Sequence, residues 1–236
     1  MKALAIDTST SMAGVAVADE NGLLGEYSIN DKKTHSQKLV PMLDELLKSL
    51  QLCTEDIDVF AAITGPGSFT GIRIGVTTIK AMAYAGQKPT VGITSLDALA
   101  EAVPAFGDTL VCPMLDARNN QVYTAIYKCK NGVMTNLSGY MGIHISELAK
   151  QLEEKNANII FTGDGVLLHE DFLKIQLNDK CSFMPVTALR QMAASAASIA
   201  VSRVLKGETL SSVELEPFYL RQSQAEREFA RKNNNG

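Results

Sequence analysis

The chain is predicted to be an α/β protein of two similar lobes, each a small sheet carrying helices. Three observations predict this. Short apolar runs suited to strands alternate with longer segments of helical period. The first run, residues 2–7, ends in Asp7, and a matching run, residues 109–115, ends in Asp116. A Thr-Gly-x-Gly turn then follows in each half, at Thr64-Gly65-Pro66-Gly67 and again at Thr162-Gly163-Asp164-Gly165. A repeated unit of this size implies duplicated lobes. Residues 1–104 form the first and residues 105–236 the smaller second, with Pro104-Ala105-Phe106-Gly107-Asp108 as linker.

In chain order, residues 2–7, 12–19 and 23–30 read as an antiparallel meander turned by Glu20-Asn21-Gly22. Residues 34–50 read as a helix capped by Thr34, with Gln37 three residues on completing a capping box. Leu39, Leu43, Leu46 and Leu50 form its apolar line, flanked by Val40, Met42 and Leu47. Together they cover an arc of about 160°, wider than one sheet contact requires. Pro41 falls inside this helix and would kink it unless the helix starts close to that residue. Residues 58–63 form the next strand, and residues 71–85 a helix charged only at Arg73 and Lys80. Ile72, Val76 and Ile79 lie on one face of that helix, and Ile74, Thr78, Ala81 and Met82 cover much of the rest. A helix apolar nearly all round is core or interface. Residues 90–93 form a strand and residues 95–103 a short helix capped by Thr94 or Ser95.

The second half runs in the same order. Residues 121–129 form a hairpin partner, Lys130-Asn131-Gly132 turns, and residues 133–140 make the third strand. A helix at 145–156, a strand at 158–161 and the Gly turn follow. A strand at 182–185 and an Ala/Ser-rich helix at 188–205, stopped by Gly207, complete the lobe. Residues 217–221 are extended, residues 222–232 form a polar terminal helix, and residues 233–236 are disordered.

Composition narrows the function. At 236 residues, 46% hydrophobic and 20% charged, the chain has the mass for a real core. A net charge of −4 argues against electrostatically driven nucleic-acid binding by this chain alone. No apolar run is long enough to span a membrane, and no leader architecture precedes the first strand, so a cytoplasmic protein is expected. Cys53, Cys112, Cys129 and Cys181 lie far apart and form no CxxC pair, as reduced thiols would. His35, His144 and His169 share no ligand spacing.

The stretch with chemistry in it is Thr64-Gly65-Pro66-Gly67-Ser68-Phe69-Thr70-Gly71-Ile72-Arg73-Ile74-Gly75. Its glycines allow close backbone approach, and the helix behind it offers unpaired N–H groups to an anion. It is neither a Walker loop nor a Rossmann fingerprint. One reading is a phosphate-facing loop; the other is a tight turn that packs helix on sheet. Asp7-Thr8-Ser9-Thr10 has the same two readings, a phosphate turn or an Asx turn closing a hairpin.

Two lobes with Asp-tipped strands and Gly turns resemble the actin/sugar-kinase/heat-shock ATPase superfamily, whose lobes are ribonuclease H-like. The resemblance places nucleotide, ATP or ADP, in the cleft between lobes or at a subunit interface. The phosphate turns would then be Asp7, Thr8, Ser9, Gly65 and Gly67. Within the superfamily, Ala5-Ile6-Asp7-Thr8-Ser9, the long Gly stretch and Pro217-Phe218-Tyr219-Leu220-Arg221 resemble the TsaB (YeaZ) family, relatives of TsaD. TsaD carries a His-x-x-x-His metal motif just after the strand that follows the second helix. Here those positions are Ser95 and Leu99, and leucine ligates no metal. The resemblance thus implies a subunit with no catalytic residues and no metal, supporting TsaD and TsaE in making tRNA N6-threonylcarbamoyladenosine. It implies pairing with TsaD, or a homodimer when alone, through the first-lobe helices at Leu39, Leu43, Ile72, Val76 and Ile79, and only indirect contact with tRNA. The alternative is a stand-alone ATPase or small-molecule kinase of the same fold. A protease, suggested by the old name glycoprotease for the wider family, is disfavoured because no Ser/His/Asp arrangement is present.

Overall fold

The computed structural model describes residues 1–31, 34–104, 109–130, 133–190 and 192–221. The first lobe is a five-stranded sheet of β1 (Lys2–Asp7), β2 (Ala13–Asp19), β3 (Gly22–Ile29), β4 (Val59–Gly65) and β5 (Thr90–Thr94), in the order β3-β2-β1-β4-β5. β2 is antiparallel to its neighbours, while β1, β4 and β5 are parallel. Its helices are α1 (His35–Ser49), α2 (Phe69–Gly86) and α3 (Ser95–Glu101). The expected cap of α1 is present: the Thr34 N–H donates to Gln37 Oε1 at 3.3 Å. Pro41 sits inside α1 on its exposed side, where water can satisfy the carbonyl it leaves unpaired.

Strand alternation sorts this sheet into two unlike faces. Leu4, Ile6, Val15, Val17 and Phe60 point to α1 and α2, and Ala3, Ala5, Ala16, Ala18 and Ala61 point the other way. The centres of the helices' apolar stripes pack on the first face, while Val40 of α1 and Ala81 of α2 stay exposed. Leu39, Leu43, Ile72, Val76 and Ile79, expected at a partner interface, are each 5% exposed or less and belong to this core. Helical phase alone could not separate the sheet-facing positions from the outward ones.

The second lobe consists of β6 (Leu110–Asp116), β7 (Gln121–Thr124), β8 (Tyr127–Lys130), β9 (Val133–Asn136), β10 (Met141–His144), β11 (Ile159–Thr162) and β12 (Cys181–Phe183), with α4 (Ile145–Glu153) and α5 (Val166–Leu177). β11 is parallel to β6 and β12, and β7 and β8 are both antiparallel to β6. β7 and β8 thus replace the single strand expected over residues 121–129. The break lies opposite Pro113, which has no N–H to give the ladder; its carbonyl instead accepts from the Thr124 hydroxyl at 2.8 Å. The next strand breaks too, into β9 on β8 and β10 on β7. With each pair counted as one strand, the order matches that of the first lobe, as the duplication predicts.

The last helix, α6 (Ala193–Leu205), corrects the expected lobe boundary. It starts five residues later than expected, and it packs across β1, β2 and β4 of the first sheet. Ala193, Ala196, Ala197 and Ala200 meet that sheet's alanine face, and small residues on both sides permit close approach. The chain then stays with the first lobe: Leu210 bridges to Thr90, and Leu215 is buried with α1 and α2. Residues 105–108 of the expected linker, the turn at 131–132 and the terminal segment 222–236 lie outside the described residues. No helix among the described residues is long and apolar enough to cross a membrane.

Candidate functional site

The tip of β1 is an Asx turn. Asp7 Oδ1 accepts from the Ser9 N–H at 2.8 Å and from the Ser9 hydroxyl at 2.7 Å. The carboxyl is fully buried, and burial raises its pKa to about 6 although the Ser9 hydrogen bonds favour the ionised form. The Thr8 hydroxyl donates to the Gly71 carbonyl at 2.7 Å, and the Ser9 carbonyl accepts from the Ser68 N–H at 2.7 Å. These two bonds seat the start of α2, which Ser68 caps through the Gly71 N–H.

The glycines of the central stretch receive protein rather than ligand. A Cβ at Gly67 would overlap the Ser9 carbonyl, one at Gly71 the Thr8 carbonyl, and one at Gly75 would lie 2.5 Å from the Thr8 hydroxyl. At Gly65, with φ +123°, it would lie 2.5 Å from the Phe218 carbonyl. Of the five residues assigned to phosphate turns, Ser9 and Gly67 line the inter-lobe cleft, whereas Asp7, Thr8 and Gly65 are buried behind it. A nucleotide phosphate therefore does not fit these turns as they stand. Their hydroxyls, carbonyls and glycine gaps already serve intramolecular contacts.

The second lobe repeats the device. Asp116 Oδ1 accepts from the Arg118 N–H at 2.8 Å, and the Gly165 N–H donates to the Met114 carbonyl at 3.0 Å. Asp164 accepts from the Asp116 N–H at 3.2 Å, and burial raises its pKa.

Between the lobes runs a polar cleft of about 600 Å³. Its walls are the β1 turn with Thr10, Ser11 and His35, the α2 start at Ser68 and Thr70, and Asp116, Tyr123 and Asp164 opposite. Residues 218–221 also line it. Phe218 donates its N–H to the Thr64 carbonyl at 2.8 Å and meets Tyr140 edge-on at 5.4 Å. Tyr219 stacks on Phe69 at 4.7 Å, and its hydroxyl accepts from Arg73 Nε at 3.0 Å. Arg221 donates to the Gln121 side chain and, at 2.8 Å, to the Gly142 carbonyl. Sequence reasoning picked out this tail as a motif but missed its partners, which lie in both lobes.

A second inter-lobe junction went unseen. Asp97 on α3 accepts from Tyr127 at 2.7 Å, from Tyr140 at 2.9 Å and from Arg203 at 3.2 Å. Burial, with the Asp97 charge next, pushes the Tyr127 hydroxyl far above its ordinary range, so it stays a donor. Ser95, at the first of the two expected ligand positions, is buried and donates to the Pro66 carbonyl at 2.7 Å; Leu99, at the second, is core. Among the described residues no three His, Cys, Asp or Glu side chains gather to hold an ion. His35 Nε2 pairs with the Thr10 carbonyl at 2.8 Å, His144 caps α4, and burial lowers the pKa of His35 and His169.

The outward side of α2 is a different kind of surface. A shallow groove of about 770 Å³ runs along Phe69, Thr70, Arg73, Ile74, Thr77, Thr78, Ala81 and Met82, with Tyr84 exposed beyond it. These positions recur at helical spacing, one turn apart; Tyr219 lies on the Phe69 and Arg73 end, and Thr77, Ala81 and Tyr84 are exposed.

Two matching sheets flanking a cleft define an actin/sugar-kinase/heat-shock ATPase fold. A sugar kinase of that fold, the ROK hexokinase of Thermus thermophilus, superimposes with a TM-score of 0.50 at 11% identity, over 88% of this chain and 100% of the hexokinase. The family described as TsaD, tRNA N6-adenosine threonylcarbamoyltransferase, matches residues 22–229. The tRNA threonylcarbamoyladenosine biosynthesis protein TsaB of Bacillus subtilis is 34% identical over 76% of this chain and 78% of its own length. A solved Pseudomonas aeruginosa protein with similarity to peptidase YeaZ matches with a TM-score of 0.81 at 27% identity, over 93% of this chain and 99% of that one. The chain belongs to the TsaB (YeaZ) family.

Proposed function

We propose that this chain is an accessory subunit in the synthesis of tRNA N6-threonylcarbamoyladenosine. It docks on the metal-bearing TsaD, works with TsaE through that complex, and contributes no catalytic residue. It pairs with a second copy when TsaD is absent and meets tRNA only through the assembly. The observation that carries this reading is the uncovered apolar groove on α2, at Ile74, Thr77, Thr78, Ala81 and Met82. Its make-up is of the kind that partner surfaces use, an apolar strip rimmed by an arginine and hydroxyls. The lost ligand positions Ser95 and Leu99 support a non-catalytic role.

The test is reconstitution from purified TsaD, TsaE, threonylcarbamoyl-adenylate, ATP and tRNA. Modification should depend on added chain, and equal modification without it sinks the proposal. The polar cleft is the one feature that favours a stand-alone nucleotide-binding enzyme. The closed phosphate turns argue against that alternative, and micromolar binding of magnesium ATP by the isolated chain would revive it.

A further inference from the structure

We infer that residues 217–221 are an internal brace that fixes the two lobes about the cleft, so that the cleft keeps its shape without nucleotide. The segment touches both lobes at successive residues. On the first lobe, the Phe218 N–H binds the Thr64 carbonyl, its own carbonyl fills the gap left by the missing Gly65 side chain, and Tyr219 stacks on Phe69. On the second lobe, the Phe218 ring meets Tyr140, and Arg221 holds Gln121 of β7 and the Gly142 carbonyl of β10 with its guanidinium 5.5 Å from the Tyr123 ring. Arg221 lies over Gly142: a Cβ there would come within 3.0 Å of Arg221 Nε. A residue on one side is thus shaped to receive the tail, as Gly65 is on the other. The side-chain donors that could otherwise grip a bridging phosphate are already committed: the Thr8 hydroxyl to the Gly71 carbonyl and the Ser9 hydroxyl to the Asp7 carboxyl. This inference stands apart from the docking proposal, since it concerns the isolated chain.

The experiment is hydrogen exchange on the full chain and on Arg221→Ala and Arg221→Lys variants, each with and without magnesium ATP. Arg221 is half-buried at the surface and outside every core cluster, so both variants should fold. In Arg221→Ala the amides of β7 and β10 should exchange roughly tenfold faster, with β1 and β4 unchanged and Arg221→Lys falling between. ATP should leave the wild-type amides at 9–11 and 67–70 unaltered. Unchanged exchange in β7 and β10, a rise spread evenly over β1 and β4, or ATP protection of the wild-type cleft would each overturn the inference.

Discussion

The Thr8 hydroxyl donates to the Gly71 carbonyl at 2.7 Å, joining the end of the first strand to the first turn of α2 across most of the first lobe's sequence. Around that bond the Gly71 Cα faces the Thr8 carbonyl directly, so no side chain fits between them. Alanine normally gains about 1 kcal/mol over glycine inside a helix. At Gly71 the clash should outweigh that gain, and Gly71→Ala should cost about 2–4 kcal/mol. Gly86→Ala, at the open end of α2, should change stability by no more than about 1 kcal/mol. Thr8→Val should cost about 0.5–1.5 kcal/mol. Urea unfolding of the three variants checks the order; a Gly71→Ala protein as stable as Gly86→Ala contradicts it.

Asp7 makes stability fall with rising pH. Its pKa rises on folding from the ordinary 3.8 to about 6, chiefly by burial. Between those values the folded chain keeps a proton that the unfolded chain has lost, so stability is lost as pH climbs from about 4 to 6 and the loss is complete above 6. The penalty at neutral pH is on the order of 3 kcal/mol. Asp7→Asn keeps an oxygen for Ser9 and should be more stable than wild type at pH 7.5, with the advantage vanishing near pH 4. Denaturation midpoints measured across that range test it, and an advantage that grows toward pH 4 reverses the sign.

Charge placed on α2 should separate docking from folding. Thr77→Glu and Ala81→Glu, both at exposed positions, alter the groove, whereas Val76→Glu puts a carboxylate among Leu4-side core residues. The first two should keep the wild-type melting temperature and weaken TsaD pairing by about 100-fold or more, whereas Val76→Glu should unfold the chain. Calorimetric titration and thermal melting read both effects. Full-strength pairing by Thr77→Glu would move the docking face elsewhere.

Asp97 is acceptor to the hydroxyls of Tyr127 on β8 and Tyr140 in the loop before β10, and to Arg203 on α6. Asp97→Ala should cost about 3 kcal/mol, since those donors lose their shared partner. For a chain of this length that corresponds to a melting shift of about 6–12 °C. Tyr127→Phe should destabilise wild type yet add little to Asp97→Ala. Additive losses in the double variant would show that the two residues do not act together.

The sequence by itself determined most of what is local or periodic, though not the breaks between β7 and β8 and between β9 and β10. Strand alternation, the Thr34 cap with Gln37, the Ser95 and Leu99 substitutions and the duplicated Asp and Gly turns are set by neighbours a few residues apart, and each can be read without a fold. The two broad helix faces were also visible, but not their direction. Helical phase marks a residue as apolar without saying which side the sheet takes, so Leu39, Leu43, Ile72, Val76 and Ile79 proved to be core while Ile74 is half-buried at its edge and Ala81 stayed open. Only the tertiary structure decided that α6 crosses to the first sheet, because its alanines have meaning only against Ala3, Ala5, Ala16 and Ala18. It alone brought Asp97 to Tyr127, Tyr140 and Arg203, and Arg221 to Gly142. Those contacts join residues far apart in the chain, and their free energy exists only once folding has met the entropy of closing the long loops between them.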